Sequence, residues 1–272
     1  MYAHVFIPGQ VVTVALIGAW LAALAIGVTL GLLGGGGSVL TVPVFVYILG
    51  VDPRSAVAMS MPVVGLTSLI GAYGHWRAGN VAWRSALSFG LIAMIGAYAG
   101  ARLAVYLSGA QQLLLLAIVM AASAVSMLRP ARTNADTPAP PSAMRTASHF
   151  RPAVLVAALA VGLLTGLVGI GGGFLVVPAL VLLSGVPMHR AIGTSLVVIA
   201  MNATSGVLGY LGQTAIDWRM VGWFTLLSSV GILAGARWSS RVPAAHLRRA
   251  FAFLLIALAA FLFWQNRLAV LT

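Results

Sequence analysis

A glycine-rich break that occurs twice constrains this chain more than any other feature. Residues Gly31 to Pro43 read Gly-Leu-Leu-Gly-Gly-Gly-Gly-Ser-Val-Leu-Thr-Val-Pro, and Gly166 to Pro178 read Gly-Leu-Val-Gly-Ile-Gly-Gly-Gly-Phe-Leu-Val-Val-Pro. Both lie inside long apolar runs. Glycine costs about 1 kcal/mol per helical position relative to alanine, so clusters this dense predict unwound or re-aimed backbone. Lipid cannot satisfy the polar groups opened there, and they must line protein or a watery cavity. Two such interruptions at matching positions in two halves point to the binding site of a transporter.

Composition places those runs in a membrane. Apolar residues make up 61% of the chain and charged residues 7%, against about 25% charged in a soluble domain. The formal charge of +12 comes from arginine without lysine. On a soluble protein that excess would suggest nucleic acid, but here the arginines lie in short connections between apolar runs, the pattern of positive-inside topology. The chain has no cysteine and therefore no disulfide, thiolate nucleophile or iron–sulfur cluster. Five scattered histidines and three aspartates form no metal-ligand cluster by spacing, and no metal or cofactor is expected.

Shifting the sequence by 135 residues superposes its halves without a gap from Gly31 to Arg102. Roughly 25 of those 72 positions are identical, which marks an internal duplication. Ser60 falls on Ser195, Gly71 on Gly206, and Trp83-Arg84 on Trp218-Arg219. In chain order, Val11 to Leu33 is long enough to span a bilayer. Val39 to Leu49 reaches only about 16 Å at 1.5 Å per residue, roughly half a hydrocarbon core. After a turn at Asp52-Pro53-Arg54, spans are predicted over Ser55–Trp76 (with a kink at Pro62), Ser85–Leu107 and Ala110–Leu128. Arg129 to Arg151, with four prolines, reads as a flexible linker. The second half repeats the order: a span to about Val168, the break, a short segment Phe174–Leu183, a turn around Pro187–Arg190, and spans at Ala191–Gly212, Met220–Arg237 and Ala250–Gln265. If the linker is cytoplasmic, only Arg54, Arg102, Arg219 and Arg267 face outward. Each half then crosses an odd number of times and the halves are inverted, whether the short segments cross or re-enter.

The doubled Gly-Gly-Gly/Ser-x-Leu-x-Val-Pro, Ala58-Met59-Ser60-Met61, Gly193-Thr194-Ser195-Leu196 and the Gly-Ala-Arg of 100–102 and 235–237 resemble the TauE/SafE family of sulfite and organosulfonate exporters. The resemblance covers nearly the whole chain outside the linker. It implies a multi-pass protein of the cell inner membrane that moves small anions, often sulfur oxyanions or sulfonates.

An anion at the bilayer midplane needs donors, and a helix restarting after unwound backbone supplies free N–H groups and a positive dipole end. Gly36, Gly37 and Ser38 open one such segment; Gly171, Gly172 and Gly173 open the other. The alternative is that these glycines only permit tight helix crossing. Ser60, Thr194, Ser195 and Asn202 are further candidates for substrate contact. Hydroxyls in membrane helices usually bond back to their own backbone. A mid-membrane amide, by contrast, wants partners and can donate two hydrogen bonds. His75 lies by a span end and reads as interfacial. Arg102 and Arg237 read as snorkelling helix-end residues, or as a vestibule that attracts anions. Gly96 with Gly100, and Gly231 with Gly235, read as packing faces.

The expected architecture is therefore an all-α polytopic membrane protein. Two inverted repeats, 1–128 and 152–272, flank a cytoplasmic linker at 129–151, with about eight full-length transmembrane helices and two short segments. The expected activity is secondary transport of small anions. A passive anion channel is the alternative, and a membrane-embedded enzyme or sensor would need a nucleophile–base or metal constellation that the sequence lacks. The expected partners are a small anionic substrate and the lipid bilayer, not nucleic acid; oligomeric state stays open.

Overall fold

Where each helix starts and stops follows from local chemistry in a computed structural model that describes residues 9–35, 37–128, 152–169, 171–182, 184–239 and 243–266. The linker 129–151 and the candidate Gly36 lie outside them. Ten α-helices form and, among the described residues, no strand. The first half holds α1 (Gly9–Leu33), α2 (Ser38–Pro43), α3 (Pro53–Arg77), α4 (Trp83–Leu103) and α5 (Gly109–Leu128). The second holds α6 (Pro152–Val168), α7 (Gly173–Leu182), α8 (Met188–Tyr210), α9 (Trp218–Ser239) and α10 (Ala244–Asn266).

Asp52 and Pro53 start α3 instead of forming a separate turn. The Asp52 carboxylate accepts from the N–H of Arg54 at 3.1 Å, and Pro53 occupies the first helical position, where its missing N–H costs nothing. Asp217 caps α9 in the same way, accepting from Arg219 at 2.9 Å and Met220 at 3.1 Å. α3 then runs through Pro62 as one 25-residue helix. Pro43 acts differently. It cannot donate to Val39, and the chain beyond it widens into a π-helical turn over Val44–Ile48, with Leu49 N–H reaching back to Val44 O at 3.2 Å.

Among the described residues five helices are long and apolar enough to cross a membrane: Pro53–Arg77, Trp83–Tyr106 (α4 with a 3₁₀ turn), Gly109–Ser126, Met188–Tyr210 and Trp218–Ser239. Gly18–Leu33, Ser38–Ile48, Pro152–Val168 and Ala252–Asn266 are shorter apolar helices among the described residues. Large apolar side chains such as Leu91, Ile95, Trp223, Leu226, Phe253 and Trp264 face outward. A surface of that kind suits hydrocarbon, with the Trp76–Trp83 edge-to-face pair (ring centroids 6.1 Å apart) as an interfacial anchor.

Lipid tails are as apolar as leucine, so helices associate in a bilayer by close backbone approach. α1 packs on α9 and α6 on α4, each across glycines. A Cβ on Gly27 or Gly31 would strike the carbonyl of Ser228 or Ile232; a Cβ on Gly162 or Gly166 would strike that of Ala93 or Ala97. Reciprocally, Gly231 and Gly235 sit against Leu24 and Val28, and Gly96 and Gly100 against Leu159 and Leu163. The 135-residue shift exchanges one set of contacts for the other. Each half thus packs its first helix on the fourth-span helix of the other half. α3 packs against α8 with Met61 meeting Gly206, Gly65 meeting Ala203 and Leu196 meeting Gly71, so these two helices run antiparallel. α5 and α10 close the bundle through Leu113, Leu116 and Met120 against Leu255 and Leu262.

Candidate functional site

The two breaks meet inside the bundle. α1 ends at Leu33 and α6 at Val168, and the next residues, Gly34 and Gly169, turn the chain with φ of 67° and 80°. That left-handed conformation suits glycine and closes the preceding helix: Gly34 N–H bonds Leu30 O at 2.9 Å and Gly169 N–H bonds Thr165 O at 2.8 Å. Gly171 and Gly172 also have positive φ. Helix α7 then opens with the N–H groups of Leu175 and Val176 both bonded to Gly172 O at 2.9 Å. The backbones of Gly35 and Gly173 abut so closely that a Cβ on either would collide with the other's main chain. The starts of α2 and α7, with their positive dipole ends, therefore converge where the two halves touch.

The matched serines hold this junction from across the interface. Ser60 on α3 donates to the carbonyl of Gly169 and Ser195 on α8 to that of Gly34; each hydroxyl also shares a back-bond with its own helix, to Val57 O and Ile192 O, both at 2.7 Å. The four residues form two pairs related by the 135-residue shift. Each break is thus latched by the other half's helix, and the carbonyls of Gly34 and Gly169 are satisfied without water. Alanine at Ser60 or Ser195 leaves such a carbonyl unpaired in the membrane, with an expected loss of about 1 kcal/mol each. Unfolding in detergent checks it, and an unchanged midpoint in both variants contradicts the latch.

The remaining candidates are placed as follows. Ser38 Oγ donates to Gly35 O at 2.6 Å inside the first break, and Gly37 packs against the Ile26 carbonyl of α1. A Cβ on Gly172 would strike Thr165 Oγ1. Thr194 is away from the junction, its Oγ1 accepting from Ala82 N–H at 2.9 Å and donating to Arg190 O at 2.6 Å, which pins the α3–α4 turn to the start of α8. Asn202 sits one turn beyond Ile199, whose side chain fills the space beside Gly171 and Gly173, so the amide shares the face of α8 turned to the second break. It is fully buried, and neither Oδ1 nor Nδ2 has a hydrogen-bond partner among the described residues. Its counterpart Thr67 is also buried but bonds Val63 O at 2.7 Å.

Gly34 and Gly169 were not among the expected site residues, although the repeat aligns them as well as it aligns the serines. Arg102 lies over the Tyr98 ring, 5.5 Å from its centroid, and Arg237 bonds Leu233 O at 3.3 Å, each one turn back along its own helix. Among the described residues no group of three His, Cys, Asp or Glu side chains could hold a metal ion.

Comparison with known proteins places these features in a family. Residues 11–262 match the family described as sulfite exporter TauE/SafE. A probable membrane transporter protein of Xylella fastidiosa (strain 9a5c) is 33% identical over 246 residues, covering 89% of this chain and 92% of that protein. The probable membrane transporter protein YdhB of Bacillus subtilis is 26% identical over 244 residues, covering 87% and 95%. One from Haemophilus influenzae is 26% identical over 252 residues, covering 86% and 92%. No solved structure matches the chain.

Proposed function

The chain belongs to the sulfite exporter TauE/SafE family of membrane transporters, and from that premise we propose that it is a secondary transporter of small anions, with sulfite, sulfonates or related sulfur oxyanions as substrates. The observation that carries this reading is the junction of the two glycine breaks, where two helix starts converge at the interface of the halves. Such starts offer N–H donors and positive dipole ends to an anion at mid-membrane. The halves are inverted repeats, a relation supported by the antiparallel run of the matched helices α3 and α8. Gly37, Ser38, Gly171, Gly172 and Gly173 line the anion's path, Asn202 orients it, and Ser60 and Ser195 hold the breaks open to it. Purified protein in liposomes, assayed against sulfite, thiosulfate, sulfonates and carboxylates, tests the proposal. Saturable flux with countertransport is expected, whereas single-channel currents indicate a pore.

The protein sits in the cell inner membrane with its linker in the cytoplasm. A cysteine at Ser142 of this cysteine-free chain is expected to resist an impermeant thiol reagent in intact cells and to react in inverted vesicles. Labelling from outside overturns that topology. Export is driven by membrane potential, which is worth about 2.3 kcal/mol per charge per 100 mV. The three aspartates fall in connections or helix caps, not mid-span. With potential and pH gradient clamped separately, flux is expected to follow the potential; uphill movement on a pH gradient alone replaces this scheme with proton coupling.

A further inference from the structure

We propose that the cavity at the end of the bundle formed by the C-termini of α3 and α9 and the N-terminus of α8 is a second oxyanion site, separate from the junction of the breaks. The cavity has a volume of about 810 Å³, and its lining includes His75, Arg77, Asn80, His189 and Arg237. Among the described residues no carboxylate lines it. The two described aspartates, Asp52 and Asp217, cap the opposite ends of α3 and α9, helices of 25 and 22 residues. At 1.5 Å per residue they lie about 37 and 33 Å away, too far to neutralise the cluster.

Helix-end electrostatics explain only part of this charge. Arg77 and Arg237 lie in last turns, where a cation complements the dipole. His189 lies in the first turn of α8, where a cation is disfavoured and an anion is bound, and its N-cap Pro187 offers no side-chain acceptor to the open N–H groups. His75 reaches the same cavity from the facing helix. The residue is only 6% exposed, its ring lies by the Gly31 backbone, and Nε2 is buried without a hydrogen-bond partner among the described residues. An imidazole nitrogen so placed is open to a ligand from the cavity.

The repeat reproduces only half of this cluster. The 135-residue shift carries His75, Arg77 and Asn80 onto Tyr210, Gly212 and Ala215 at the other end of the molecule. There Tyr210 satisfies itself by donating to Gly166 O at 2.9 Å. His189 and Arg237 fall on Arg54 and Arg102, so both ends carry that basic pair, and His75 and Arg77 are what this end adds to it. Arg77 and Arg237 supply two fixed positive charges, with His75 and the N–H groups of α8 as directional donors. That combination fits a small, doubly charged oxyanion of sulfate size. The end in question also carries Arg84 and Arg190, so under the transport reading above this site collects substrate before export; the binding itself does not depend on that reading.

The test follows the five histidines by NMR in ¹³C/¹⁵N-histidine-labelled full-length protein, in phosphatidylcholine nanodiscs titrated with sodium sulfate at constant ionic strength. Saturable shifts at His75 and His189, with His246 unmoved, are expected. Arg77→Gln and His189→Gln change exposed side chains, and each is expected to weaken the apparent affinity at least about tenfold with the thermal midpoint unchanged. Shifts that stay linear in sulfate, or an affinity unchanged in both variants, overturn the site. So does movement of the same resonances by phosphatidylglycerol but not by sulfate, which assigns the cavity to a lipid headgroup. Saturable shifts in a protein that moves no anion would leave this site standing and remove the transport reading; anion flux without them would do the reverse.

Discussion

Gly173→Ala is expected to reduce transport at least about 100-fold. The substitution is chosen because everything local favours it. Gly173 begins α7 without a positive φ, so alanine fits the backbone and raises helix propensity by about 1 kcal/mol. The obstacle is across the junction. The new Cβ would strike Gly35 Cα and lie 2.5 Å from Ile199 Cδ1 and 3.0 Å from Gly35 O. Two main chains have to separate, because backbone cannot rotate away as a flexible side chain does. A separation on the order of 1 Å is enough to cost about 100-fold where groups must be held in one geometry. Overpacking of this kind costs about 1–3 kcal/mol, which leaves room for a folded, inserted protein. Gly222→Ala on α9 is the matched control, since a Cβ there meets nothing within 4 Å. Wild-type flux in Gly173→Ala would show that the two breaks need not touch. Leucine at Gly37 or Gly172 is a blunter probe: it strikes Ile26 O or Thr165 Oγ1, so loss of accumulation is expected along with loss of flux.

Much of this was legible in the residues. Apolar runs interrupted by glycine gave most helix positions within a few residues, α10 starting at Ala244 instead of Ala250, and the family followed from the doubled motif. The pairs Gly96/Gly100 and Gly231/Gly235 were read as packing faces, and each does lie against a neighbouring backbone. What a repeat cannot disclose is which copy each helix packs on. α1 could meet α4 of its own half or α9 of the other, because both carry the same glycine spacing; the choice is made by the whole bundle. The Ser60–Gly169 and Ser195–Gly34 bonds span 109 and 161 residues and leave no local trace for the same reason. The start of α3 was legible but misread. Asp-Pro-Arg carries both a helix cap and a first-position proline, and the same residues also read as a turn. The His75–His189 cavity draws on three separated segments, none of which is distinctive alone.

Asn202→Leu is expected to raise stability and abolish transport together, a combination that a purely architectural amide does not produce. Leucine keeps the branching of asparagine at Cγ while replacing two polar atoms that are fully buried and have no partner among the described residues. Removing an unsatisfied buried amide should return about 1–3 kcal/mol, read as a higher unfolding midpoint. Were the amide there to hold helices together, it would already be bonded, as Ser205 is to Met94 O at 2.6 Å, and its loss would destabilise. Its open donors and acceptor instead suit a substrate that arrives and leaves. A site built to hydrogen-bond a ligand loses far more than the bond when that group goes, because the ligand's own polar atoms are then stranded. Flux is expected to fall by about 100-fold or more. Thr67, the matched position on α3, provides the contrast: its hydroxyl is spent on Val63 O, so Thr67→Val should leave flux within a few-fold of wild type. If Asn202→Leu gains stability at full flux, the amide is incidental to transport. If it loses both, the amide is structural, and the orienting role passes to the N–H groups of the breaks.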